Sequence, residues 1–126
     1  MENGKVKALV VVAHGSRRAA SNEEVGELAC QLAGLVSNEY PIVGVGFLEL
    51  AEPLIPDALE KVIEQGATEI CVFPYFLSAG RHVVTDVPDE VKIVQDKYPN
   101  ISIKMLTHLG ALSGLKSFIA SALTSN

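Results

Sequence analysis

The sequence predicts an α/β fold, a four-stranded parallel sheet flanked by helices on both faces and built as a flavodoxin-like repeat of βα units. Three observations predict it. Four short apolar runs alternate with segments whose apolar residues recur at three- and four-residue steps. The runs are rich in β-branched residues and largely apolar on both faces, as strands covered from two sides are. The length of 126 residues, 48% of them hydrophobic, suits one domain with a substantial core. Residues 1–126 are therefore expected to form a single domain.

The first strand is expected over residues 6–13, VKALVVVA. A helix over residues 20–39 follows, with Val25, Leu28, Ala29, Leu32, Leu35 and Val36 on one stripe. Ser21 or Asn22 is the expected cap at its start. The second strand reads IVGVGFLEL over residues 42–50. The second helix follows Pro53, with Leu54, Ile55, Ala58, Leu59, Val62 and Ile63 at helical steps and Gly66 suited to its C-terminal end.

The third strand reads EICVFPYFL over residues 69–77. Pro74 conflicts with a ladder position, because proline has no N–H to donate, and it marks where the strand leaves the sheet. The third helix is expected over residues 87–98, with Pro88 in its first turn and Pro99 beyond its end. The fourth strand is ISIKML over residues 101–106. The fourth helix carries Leu112, Leu115, Phe118, Ile119, Ala122 and Leu123. A βαβαβαβα order implies parallel strands joined by right-handed crossovers.

Composition narrows the functions. Ten basic residues against 15 acidic ones give a net charge of -5, which argues against a general nucleic-acid binder. An anionic small-molecule substrate stays open, because local charge placement can oppose the net. Cys30 and Cys71 have no metal-type spacing, and both are expected to be small buried hydrophobes. Residues 1–7 are polar and carry no apolar signal region. No apolar run approaches the roughly 20 residues that span a membrane. A soluble cytoplasmic protein without a membrane partner is the expectation.

In open α/β sheets, ligands bind beyond the carboxyl ends of the strands. His14-Gly15-Ser16-Arg17-Arg18 follows the first strand. Glu49 and Glu52 end the second. Ser78-Ala79-Gly80-Arg81-His82 and then Asp86 follow the third, and Thr107, His108 and Gly110 end the fourth. All three histidines of the chain fall on this edge. Imidazoles beside a carboxylate suit a first-row divalent ion rather than magnesium or calcium. With no cysteine at this edge, a cysteine-type structural zinc site is excluded. Each residue also has a plainer reading. His14, His82 or His108 can hydrogen-bond loop backbone, Glu52 can sit at the positive end of the second helix, and Gly15 and Gly80 can serve the turn alone. Arg17, Arg18 and Arg81 gather at the mouth of the cleft, where guanidinium pairs well with carboxylates.

LVVVAHGSR, GFLELAEPLIPDAL, FPYFLSAGRHVVTDVP and THLGA, in this order, resemble the CbiX/SirB group of class II chelatases. The resemblance runs from Ala8 to about Leu115 and is strongest from Pro74 to Pro88. It implies a chelatase-like fold and insertion of a divalent metal into sirohydrochlorin, within cobalamin- or sirohaem-type biosynthesis. Cobalt is the first expectation, with ferrochelatase and nickelchelatase activities as alternatives. It implies that His14 and His82 bind metal and catalyse, with Glu49 as a third, acidic ligand. Ser16, Arg17, Arg18, Gly80 and Arg81 then fall to the polycarboxylate substrate. No cofactor beyond the substrate metal is implied. Resemblance to the single-domain form also implies a homodimer, with the tetrapyrrole in a cleft between subunits.

Two other readings use the same residues. A non-catalytic metal or tetrapyrrole carrier would need the same site. A phosphate-handling enzyme could use His14-Gly15 at a helix N-terminus, although a histidine phosphatase needs arginine where Ala13 stands.

Overall fold

The computed structural model describes residues 4–125. Strands β1 (Lys7–Ala13), β2 (Ile42–Phe47), β3 (Glu69–Pro74) and β4 (Ser102–Met105) form one parallel sheet in the order β2-β1-β3-β4. Four α-helices connect or follow them: α1 (Ala19–Leu35), α2 (Ile55–Glu64), α3 (Val87–Lys97) and α4 (Leu115–Thr124). A π-helical turn, His82–Asp86, leads into α3, and a 3-10 turn, Leu109–Ala111, precedes α4. Among the described residues no helix is long and apolar enough to cross a membrane.

β1 lies inside the sheet, and all its residues after Lys7 are buried. Its side chains alternate between faces, as strand geometry requires. Ala8, Val10 and Val12 join a core with Ile55, Ala58, Leu59 and Val62 of α2 and with Val87, Val91 and Val94 of α3. Leu9 and Val11 face the other way, with Ala29, Val25 and Leu32 of α1. Each fully buried Leu, Ile or Val contributes about 1.5–3 kcal/mol, so the α2–α3 face is the stronger half. Pro74 is the last residue of β3, opposite Val12, as its missing N–H requires.

Several expectations are corrected. β2 ends at Phe47 rather than Leu50; the Phe47 N–H donates to the Pro53 carbonyl at 2.9 Å, and after Leu48 and Glu49 the chain bends toward α2. α1 ends at Leu35 rather than Glu39, and Leu35 itself is 81% exposed. Neither Ser21 nor Asn22 caps α1. Asn22 instead clasps the backbone of Ser16, accepting from its N–H at 2.9 Å and donating to its carbonyl at 2.8 Å. Cys71 is buried as expected, but Cys30 is exposed. It neighbours buried Ala29, and consecutive helix positions point about 100° apart.

α4 departs furthest. It begins at Leu115, leaving Leu112 outside, and none of its residues is buried. Phe118 is 71% and Leu123 75% exposed. β4 explains this, since Ser102 and Lys104 are exposed while Ile103 and Met105 are half-buried. A strand covered on one side only does not require a fourth helix across its second face.

Candidate functional site

The order β2-β1-β3-β4 sends the chain from β1 to one side and then, through β2, back to the other. The carboxyl ends of β1 and β3 therefore flank the point where the order reverses, which is where a crevice opens in such sheets. His14 follows β1 directly, and His82 follows β3 through a connection over residues 75–81 that leads into the π-helical turn. Their rings meet edge-on, with centroids 4.6 Å apart and planes at 66°.

Backbone bonds fix the third residue. The Leu48 and Glu49 N–H groups donate to the carbonyls of Ala13 and His14, at 3.0 and 3.1 Å, and so extend the β1–β2 pairing past the strand ends. Gly15 permits the approach. Its φ is +96°, and a Cβ there would stand 1.8 Å from the Glu49 carbonyl oxygen. Held this way, Glu49 brings its Oε2 to 3.1 Å from His14 Nε2. The other ring nitrogen, His14 Nδ1, lies 3.0 Å from the Gly15 carbonyl oxygen. Both nitrogens of His14 thus face oxygen acceptors.

His82 is held differently. Its Nδ1 lies 2.8 Å from Asp86 Oδ2, one turn on. Phe76 stacks beside the ring, with centroids 6.4 Å apart and planes at 23°. The π-helical turn widens this segment, and Val87 N–H reaches back to the His82 carbonyl. Such turns recur at functional sites.

A cavity of about 250 Å³ is lined by His14, Leu48, Glu49, His82, Asp86, Asp89 and Glu90. Two imidazoles and four carboxylates give it a donor set and a field that favour cations. Among the described residues no group of three or more His, Cys, Asp or Glu side chains is arranged to hold a metal ion.

The structure thus brings together His14, His82 and Glu49. Ser16, Arg17, Arg18, Gly80 and Arg81 lie outside the cavity lining. Ser16 serves its own turn, its Oγ accepting from the Arg18 N–H at 3.0 Å. The Gly80 carbonyl accepts from the N–H groups of Val83 and Val84. Arg17, Arg18 and Arg81 are exposed on the two loops that carry the histidines. His108 and Glu52 are outside the lining as well; His108 precedes the 3-10 turn, and Glu52 stands beside Pro53, Asp57 and Lys61. Asp89 and Glu90 were legible only as the acidic start of a helix, where they are favourable on any account. For Glu90 a signal for the site lay in spacing, because His82, Asp86 and Glu90 recur every fourth residue; Asp89 had none.

The CbiX family model matches residues 8–126. A protein of Methanocaldococcus jannaschii named sirohydrochlorin cobaltochelatase is 42% identical over 93 residues, which are 74% of this chain and 64% of that protein. A chloroplastic sirohydrochlorin ferrochelatase of Arabidopsis thaliana is 37% identical over 110 residues, 85% of this chain and 47% of that one. The chain therefore spans less than two thirds of the length of these relatives. Among solved structures, the sirohydrochlorin chelatase SirB of Bacillus subtilis subspecies spizizenii, in complex with cobalt, superposes with a TM-score of 0.83 at 29% identity. The match covers 94% of this chain and 50% of SirB.

Proposed function

The chain belongs to the CbiX family, and from that premise we propose that it inserts a divalent metal into sirohydrochlorin. The observation that carries the proposal is the convergence of His14, Glu49 and His82 on one cavity at the switch point of the sheet. Metal–nitrogen and metal–oxygen bonds of about 2.0–2.2 Å, set at right angles, put the two ligand atoms about 3 Å apart. His14 Nε2 and Glu49 Oε2 stand at 3.1 Å. One cation can replace a proton between them without moving either side chain far.

Insertion needs the metal to shed water, the macrocycle to expose its nitrogens, and two pyrrole N–H protons to leave. His14, Glu49 and His82 hold the incoming metal and present it to one face of the ring. An incomplete protein shell keeps the ion transferable. One of the two imidazoles, or Glu49, then takes pyrrole protons as a general base. Asp89 and Glu90, which also line the cavity, add negative charge and draw the cation in.

Ser16, Arg17, Arg18, Gly80 and Arg81 are assigned to the substrate's carboxylates. In support, the three arginines are exposed on the histidine-bearing loops and take part in no ion pair among the described residues. Cobalt is the proposed metal, in line with the name of the Methanocaldococcus relative; iron is the alternative in line with the Arabidopsis one, and nickel a third. A homodimer of single-domain chains is part of the proposal, since this chain overlays only half of SirB and two copies match its length. So is a cytoplasmic setting, in keeping with two cysteines that stand as free thiols.

The test is an anaerobic absorbance assay of sirohydrochlorin with cobalt, nickel and iron in parallel, under excess substrate. Multiple turnovers with at least one metal are expected. Stoichiometric binding without turnover would make the chain a carrier.

A further inference from the structure

We propose that Asp86 is a positioning residue for His82, fixing which ring nitrogen meets the metal. The proposal rests on the metal-presenting role of His82. The geometry points to it in three ways. Asp86 Oδ2 lies 2.8 Å from His82 Nδ1, within the range of a charge-assisted hydrogen bond. An ionised carboxylate only accepts, so the contact selects the ring form with a proton on Nδ1, and in the neutral ring that leaves the lone pair on Nε2. The Phe76 ring lies beside the imidazole and nearly parallel to it, with centroids 6.4 Å apart. Nε2 is thereby the free donor, and both His82 and Asp86 line the cavity.

The π-helical turn makes the pairing local. His82 and Asp86 are its first and last residues, so the carboxylate reaches the ring from the same turn. A carboxylate behind a metal-binding imidazole orients the ring and raises its basicity as a ligand. His14 lacks this arrangement. Its Nδ1 faces its own neighbour's carbonyl, and its carboxylate partner, Glu49, sits on the cavity-side nitrogen. The two histidines therefore differ in kind: Glu49 shares the metal with His14, whereas Asp86 stands behind His82.

Nitrogen-15 NMR of the histidine rings in the full chain tests this without reference to turnover. In the parent, His82 should show protonated Nδ1 and bare Nε2. Asp86→Ala should shift it to the mixture of forms of a solvated imidazole. Binding of cobalt alone should weaken by about 10–100-fold in that variant. Asp86→Asn keeps an acceptor oxygen without the charge, so it should retain the parental tautomer and lose less affinity. It also decides the matter should Asp86→Ala not fold. An unchanged tautomer in Asp86→Ala overturns the proposal, and so does an Asp86→Asn ring that has lost the parental form. Failure of His82→Ala to affect insertion would instead overturn the reading of His82 itself.

Discussion

His14 and His82 are far apart in the chain, yet their rings touch edge to face, with centroids 4.6 Å apart. Each is the first histidine beyond a strand end, and the two strands are neighbours in the sheet. That contact is the basis of the first prediction. His14→Ala and His82→Ala should each fold, because both side chains are roughly half-exposed, and stability should change by less than about 0.5 kcal/mol. Insertion should fall by at least about 100-fold in each. Parental rates in both variants would remove the site from consideration.

Glu49→Gln separates metal holding from substrate binding. The amide keeps the shape but not the charge. A lost charge-assisted contact is worth roughly 1.5–3 kcal/mol, so metal affinity should drop by about tenfold or more. The KM for sirohydrochlorin should stay near that of the parent. A rise in that KM with unchanged metal affinity would place Glu49 on the substrate instead.

Gly15→Ala should damage both stability and activity. Left-handed backbone costs about 1–2 kcal/mol with a side chain present, and forcing a Cβ toward the Glu49 carbonyl adds about 1–3 kcal/mol. Urea unfolding should register the sum. Insertion at temperatures where the variant is still folded should also fall, because Glu49 is pushed away from His14.

Leu59→Ala is the contrasting case. Leu59 is fully buried between α2 and the sheet, and its truncation should cost about 2–5 kcal/mol. Below its unfolding midpoint the variant should insert metal at close to the parental rate. A large loss of kcat in the folded protein would show that the core and the cavity are coupled.

Tyr40 predicts an alkaline effect. Burial holds its hydroxyl above the ordinary tyrosine range, and the Cys71 thiol pushes the same way. The neutral form is thus favoured in the folded state. Its contribution is intact below the unfolded value of about 10 and is lost as pH climbs from there through the folded value. Tyr40→Phe should flatten that decline in melting temperature, and identical slopes in the two proteins would contradict the assignment.

The sheet and much of the site were legible in the sequence, for physical reasons. Strands buried on both faces are apolar throughout, so β1 was plain, and Pro74 marked the end of β3 because it cannot donate. The places of His14, Glu49 and His82 beyond strand ends, where such sheets bind their ligands, made them candidates, but position left plainer readings open and their roles came from the family resemblance. Asp86 was visible in the same stretch, but only the folded turn shows it on the ring. At α4 the pattern misleads. Its apolar residues imply a covered face, and β4 reads with the other runs as apolar on both faces, whereas Ser102 and Lys104 are exposed and make it a one-sided strand. The short end of α1 had no comparable signal, since Leu35 and Val36 continue its stripe and only the backbone turns away.

The interior position of β1 has a consequence for folding. β1 and β3 pair only after the whole stretch through α1, β2 and α2 has been looped out, and such long-range parallel pairing is slow. The two imidazoles meet only when that pairing closes, so an immature chain with its first βα unit formed holds one of the two imidazoles and no cavity. A cobalt ion added during refolding should therefore be captured late, with the central pairing, and its visible absorption would time that event.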